Sequence, residues 1–276
     1  MRVGPPRGGF TLVEALVAMV LLALVGQTLL RIITVSQRLF RAQGERAALQ
    51  ASLRAGASLL PGELRPAGPG DLLAVLPDEV VYRAPRLTAV ACAVGPASVA
   101  VRRRLHYGYR DLVAGRDSLL VFRDNDPATD ADDRWEPVAV SGSETPGSCP
   151  DGAPARIVPA TVPPDLAALS LADVPVRAFE VMQLRLYQSG GQYWIGMRSL
   201  SGGEAQVQPA VGPLAADGLR LSYRTAGGTL ATAPADVRLI GLTIRGVSDG
   251  AVVGLTGQVA IAADSLAGAV ELRNAE

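Results

Sequence analysis

Met1–Phe40 reads MRVGPPRGGFTLVEALVAMVLLALVGQTLLRIITVSQRLF. Two basic residues, Arg2 and Arg7, precede a long apolar run from Phe10 to Val35, and no further basic residue occurs until Arg31. The uncharged core from Ala15 to Leu30 rises about 24 Å as a helix, and Phe10–Val13 extend it to about the length a bilayer requires. Residues 10–35 are therefore predicted to cross a membrane once. The positive leader favours a cytoplasmic N-terminus, with everything after the span on the other side.

A secretory signal peptide is cut after its apolar region, near small residues. Here the expected cut lies before that region. A cut at Gly9 leaves the apolar segment on the mature chain as an anchor. The hexapeptide Gly9-Phe10-Thr11-Leu12-Val13-Glu14 resembles the prepilin processing motif of type IV pilins and pseudopilins. The resemblance implies that residues 1–9 are a leader, and that prepilin peptidase cuts between Gly9 and Phe10 and methylates Phe10. Glu14 is a carboxylate inside an apolar segment. On insertion scales an acid at a span's centre costs roughly 2.5–3.5 kcal/mol, less near the interface. Two readings stay open for it. Either it meets lipid headgroups at the boundary, or, as the resemblance implies, the ammonium of Phe10 on a neighbouring subunit neutralises it and sets the axial register.

No proline occurs between Arg7 and Pro61, and residues 31–60 are rich in Ala, Leu, Arg and Gln, all good helix formers. One helix is expected, a transmembrane half over 10–35 and an amphipathic half over 36–64. Leu49, Leu53, Ala57 and Leu60 recur at helical spacing and predict a buried face, with Arg41, Glu45, Arg46 and Arg54 wet. Gly26, Gly44 and Gly56 are positions where the helix could bend. Pro61–Gly70, with three prolines and three glycines, ends it.

From residue 65 to 276 the periodicity becomes that of strands. Met182, Leu184 and Leu186 alternate with polar residues, and Gly190-Gly191 predicts a hairpin into Tyr193–Met197. Leu219, Leu221 and Tyr223 form another alternating run, and Ile240, Leu242 and Ile244 a third. The stretch from about 124 to 164 is rich in Asp, Pro, Gly and Ser and reads as a loop or insertion. The fold class is thus α+β: a long N-terminal helix on an antiparallel β-rich globular head. The terminal Leu272-Arg273-Asn274 resembles that of the PulJ/PilW-like branch of minor pilins, and the size agrees with that branch. That resemblance implies a minor subunit at or near a filament tip that primes assembly, with other pilin or pseudopilin subunits and an inner-membrane assembly platform as partners. It implies insertion in the cytoplasmic (inner) membrane followed by an extracytoplasmic filament, of a type IV pilus or a type II secretion system. Arg31 stands where many major pilins have proline. The alternative is a stand-alone membrane-anchored protein whose head binds DNA or calcium.

Chemistry is sparse elsewhere. The chain has 276 residues, 49% of them hydrophobic, enough for a substantial core. Its 26 basic residues, all Arg, balance 26 acids, so no net charge steers the whole molecule towards nucleic acid. A lysine nucleophile is excluded, one histidine, His106, is a poor basis for a triad, and no nucleotide-binding or HExxH motif occurs. The chain is not expected to be an enzyme. Cys92 and Cys149 lack zinc or redox spacing and predict a disulfide in an oxidising compartment, with two buried thiols as the alternative. Arg102, Arg103 and Arg104 with Tyr107 and Tyr109 could hold a nucleic-acid backbone, though a solvated strand edge or pairing with the acidic loop that follows Arg123 is the favoured reading. Asp124, Asp126, Asp130 and Asp132 crowd carboxylates that suit calcium, or form a solvated acidic loop without the glycine and terminal glutamate of an EF-hand. No other cofactor is expected.

Overall fold

The structure, a computed structural model, describes residues 9, 11–108, 110–124, 128–129, 133–169, 171, 173–253 and 258–273. An α-helix, α1 (Leu12–Leu64), precedes an antiparallel β-rich head, the α+β arrangement expected. The strands are β1 (Leu72–Leu76), β2 (Glu79–Val94), β3 (Ser98–Gly108), β4 (Asp117–Arg123), β5 (Arg134–Val140), β6 (Thr145–Ser148), β7 (Pro154–Thr161), β8 (Val174–Ser189), β9 (Gln192–Ser199), β10 (Gln208–Arg224), β11 (Leu239–Val253) and β12 (Val259–Glu271). A short helix, α2 (Pro164–Ala168), lies between β7 and β8.

The chain divides into two units, one of Met1–Ala48 with Ser248–Ala262, the other of Leu49–Val247 with Ala263–Glu276. In the first, α1 shows apolar side chains on every face: Leu12 is 82% and Phe40 78% exposed, with Leu16, Leu22, Ile32 and Val35 open between them. A helix apolar all round is a membrane span or a core helix, and this one is uncovered. Further along, Glu45 Oε2 accepts the Gly250 N–H at 3.2 Å, and Ala42 and Val252 are buried.

In the second unit α1 carries a buried stripe of Leu49, Leu53, Leu60 and Leu64, with Ala57 half-buried and Arg54 wet. Gly56 serves close approach: a Cβ there would lie 2.9 Å from Ile244 Cδ1 and 3.1 Å from Val211 Cγ1. Gly246 repeats the device from the strand side, its Cβ position 2.5 Å from Leu49 Cδ1. Pro61 falls within the last turn, where its missing N–H releases one helical bond, and the helix ends at Leu64. A 3-10 turn, Pro69–Asp71, follows, with Asp71 Oδ2 accepting the Gly68 N–H at 2.9 Å.

Two 16-residue strands, β2 and β8, organise this unit. Their outer halves, Glu79–Arg83 against Val181–Arg185, belong to a meander that runs from β1 through β2, β8, β9, β10 and β11 to β12. Ser189 pairs Gln192 across Gly190 and Gly191, whose φ values of 60° and 82° give the two-residue turn that a hairpin's twist demands. Leu219, Leu221 and Tyr223 pair Ile244, Leu242 and Ile240, so both alternating runs present their apolar sides together.

The inner halves of β2 and β8 do something composition did not indicate. Successive pairings β2–β3, β3–β7, β7–β5, β5–β4, β4–β8 and β8–β2 close a small antiparallel barrel. Its interior is Leu87, Ala89, Ala91, Val99, Val101, Leu119, Val121, Val138, Val140, Val158, Ala160, Val176 and Ala178, with Leu166 of α2 added. A barrel of few strands has a narrow interior, which Ala and Val fill. Residues 124–164, expected as a loop or insertion, thus hold β5, β6 and β7 and supply part of the barrel wall. Pro137, Pro146 and Pro159 pair within these strands and gave the stretch its loop-like composition.

Candidate functional site

Thr11 precedes the first helical residue, and its hydroxyl accepts the Glu14 N–H at 3.3 Å while its carbonyl accepts the Ala15 N–H. Thr11 is therefore the N-cap, and Thr11-x-x-Glu14 has capping-box spacing, a signal the sequence offered that was not read from it. Glu14 falls in the first turn, where the partial positive charge of the helix terminus favours a carboxylate. Its side chain is exposed, as are Leu12, Val13 and Leu16 around it. Gly9 is exposed, and among the described residues a Cβ built on it meets nothing within 4 Å. The fold consequently does not restrict the side chain at position 9, so a demand for glycine there would come from whatever reads the motif. Phe10 lies outside the described residues.

Far along the chain, Cys92 of β2 and Cys149 are joined by a disulfide with their Cα atoms 5.7 Å apart. It sits with Ala100 and Ala155 in a small buried cluster separate from the barrel interior. Cys149 opens the tight β6–β7 turn, with its N–H on Ala153 O and its carbonyl accepting from Gly152. Beside it Arg102 of the basic cluster is already engaged: Nη1 reaches Asp151 at 2.8 Å, and Nε and Nη2 both reach Asp173. These hydrogen bonds hold the guanidinium strongly protonated. Asp151, through the Ala153 N–H and then Arg102, and Asp173, through Arg102, are held below the usual carboxylate range. Arg103, Arg104 and Tyr107 are exposed on β3, and Tyr109 lies outside the described residues.

Of the acidic run, Asp124 is exposed just after β4, while Asp126, Asp130 and Asp132 lie outside the described residues. Among the described residues no group of His, Cys, Asp and Glu gathers to hold a metal ion. His106 Nε2 is 3.9 Å from Glu144 Oε2, which Arg156 also binds at 2.8 Å.

One buried cluster escaped sequence reasoning altogether. Asp117 of β4 and Glu180 of β8 are direct cross-strand partners, 2% and 1% exposed. Unpaired, two such carboxylates would repel in a poorly screening interior. Arg110 forks across both, while Arg86 Nε at 2.9 Å and Arg116 Nε close on Glu180. Burial pushes the Glu180 carboxyl up, but hydrogen bonds from Ser199, Arg86 and Arg116 outweigh it and hold it below the usual range. This network stands where β8 passes from barrel to meander.

Residues 5–26 match the model of the prokaryotic N-terminal methylation motif. No curated protein and no solved structure matches the chain. The matched stretch covers Gly9, Phe10, Thr11 and Glu14 and the first turns of the uncovered apolar helix.

Proposed function

We propose that this chain is a membrane-anchored subunit of a type IV pilus-like or type II secretion-like filament, cut by prepilin peptidase after Gly9. The observation that carries this reading is a coincidence of registers. The methylation motif ends its polar part where α1 begins, so a cut at Gly9 leaves Phe10 and the N-cap Thr11 at the head of an apolar helix. Such a helix is stable in lipid, because every interior backbone group is satisfied within it. It is equally suited to a bundle of like helices, where neighbours replace lipid around Leu12, Leu16, Leu22 and Ile32.

Glu14 then has a role that lipid alone would penalise. In the membrane it stays near the interface, within reach of headgroups. In the filament the ammonium of a neighbour's Phe10 satisfies it and fixes the axial step. The head follows from the helix end and lies outside the membrane. The likeness of Leu272-Arg273-Asn274 to the PulJ/PilW-like branch supports the finer assignment to a minor subunit near the tip that primes assembly.

Assembly is tested by shearing filaments from cells that express the full chain and its partner subunits. Wild type is expected in the sheared fraction, and Glu14→Ala is expected to be processed yet to stay in the membrane. Processed wild-type protein found only in the membrane, with no crosslink to another subunit, would point instead to a tethered binding protein.

A further inference from the structure

Outside the barrel wall, a cavity of about 430 Å3 opens between that wall and the 3-10 turn that follows α1. Thr88 and Arg177, cross-strand partners on β2 and β8, form its floor with Leu120, and Trp135 of β5 flanks it. Arg83 and Arg273 complete the lining. Three guanidiniums therefore converge on one small space. Among the described residues the single acid there is Asp71, 3.5 Å from Arg177 and also occupied by the Gly68 N–H. Among the described residues no other carboxylate lies within ion-pair distance of Arg83, Arg177 or Arg273.

The aromatic rings explain how the cations are kept in place. Arg177 lies over Trp135, 4.3 Å from the ring centroid, and Arg83 over Phe179 at 5.3 Å. Phe122 braces Trp135 at 5.2 Å. Cation–π contact fixes a guanidinium plane without using its N–H groups. Arg83 spends one N–H on Gly70 O at 3.1 Å. The buried Nε of Arg177 has no hydrogen-bond partner among the described residues. Oriented guanidiniums with unspent donors, and an excess of positive charge over one carboxylate, are what bidentate recognition of an oxyanion requires.

We propose that Arg83, Arg177 and Arg273 form a binding site for a small oxyanion-bearing ligand, the recognised group being a carboxylate or a phosphate. The anion bridges the Arg177 edge and the Arg273 head, with Arg83 closing the third side. Burial already works against the Arg177 charge, and Arg273 and Arg83 add repulsion, so a bound anion relieves a conflict built into the wall.

The full chain in detergent is titrated with inorganic phosphate and, separately, with citrate at low ionic strength, with heat of binding and melting temperature as readouts. Both wild type and Arg220→Gln, an exposed arginine elsewhere, are expected to bind at least one probe and to melt at higher temperature in its presence. Arg273→Gln, at the exposed rim, is expected to fold normally and to bind about tenfold more weakly. Arg83→Gln is expected to behave alike. Phosphate without citrate identifies a phosphate source, citrate without phosphate a carboxylate source, and binding of both a general oxyanion site. Binding of neither probe by wild type, or equal binding by Arg273→Gln, overturns the proposal.

Discussion

The Glu14 N–H donates to the Thr11 hydroxyl at 3.3 Å, so the residue just after Phe10 is the one that starts the helix. The helix cap thus lies two residues after Gly9, on a bond from the Glu14 backbone to the Thr11 side chain three residues before it. Thr11→Ala removes the acceptor and is expected to cost about 1 kcal/mol at the helix terminus, whereas Thr11→Ser keeps it. In detergent micelles the amides of Val13 and Glu14 should exchange about fivefold faster in Thr11→Ala, with cleavage unaffected. Unchanged exchange would mean that the cap does not order this turn.

The disulfide joins residues 57 positions apart. Closing a loop of that size restricts the unfolded chain by about 4 kcal/mol in the chain-entropy picture. A Cys92→Ala, Cys149→Ala double variant is expected to melt about 10 °C below wild type, and reductant should lower the wild-type value similarly. Reductant should leave the double variant unmoved.

What the sequence disclosed and what it hid divide along sequence distance. The Gly190-Gly191 hairpin, the facing runs at Leu219–Tyr223 and Ile240–Ile244, and the Leu49, Leu53 and Leu60 stripe were legible because each is a local pattern with one period. The barrel was not, because β2 and β8 meet from far apart, and β5 and β7 are short runs of Val and Ala interrupted by proline. The same distance hid which acids pair with Arg102: its carboxylate partners, Asp173 and Asp151, lie 71 and 49 residues away and outside the acidic run. Gly9 and Glu14 were visible because a processing motif is read as a linear string. Thr11 was overlooked although its spacing to Glu14 was plain.

Glu180 makes stability depend on pH in a definite sense. Its folded carboxyl is held below the usual range, so the unfolded chain binds more protons on acidification and stability rises with pH. The contribution is whole above the ordinary carboxylate range and is lost as pH falls through the depressed folded value; Asp151 and Asp173 act in the same direction. Glu180→Gln takes away the carboxylate that Arg86, Arg110 and Arg116 share, leaving Arg86 only Glu63 at 4.0 Å and Arg116 only Glu204 at 3.2 Å among the described residues, and is expected to cost roughly 3 kcal/mol at pH 7. Melting curves against pH should show variant and wild type converging in acid. Parallel curves would mean that Glu180 carries no such linkage.

Gly246 faces Leu49 and Leu53, whose side-chain atoms would stand 2.5 and 3.2 Å from an added Cβ. Gly246→Val is expected to cost about 1–3 kcal/mol by overpacking, measured by denaturant unfolding. Gly250→Ala, whose Cβ would meet only Glu45 at 3.5 Å, is the control and should change little.

The proposed filament role requires maturation by a cut between Gly9 and Phe10. The most direct measurement is the mass of the mature N-terminus after co-expression of the full chain with prepilin peptidase, for wild type and Gly9→Val. Because no described residue lies within 4 Å of a Cβ at position 9, the substitution tests recognition without disturbing the described fold. Wild type is expected to begin at N-methylated Phe10, and the variant to stay uncut. An uncut wild type, or a cut after the apolar run, would contradict the proposed role.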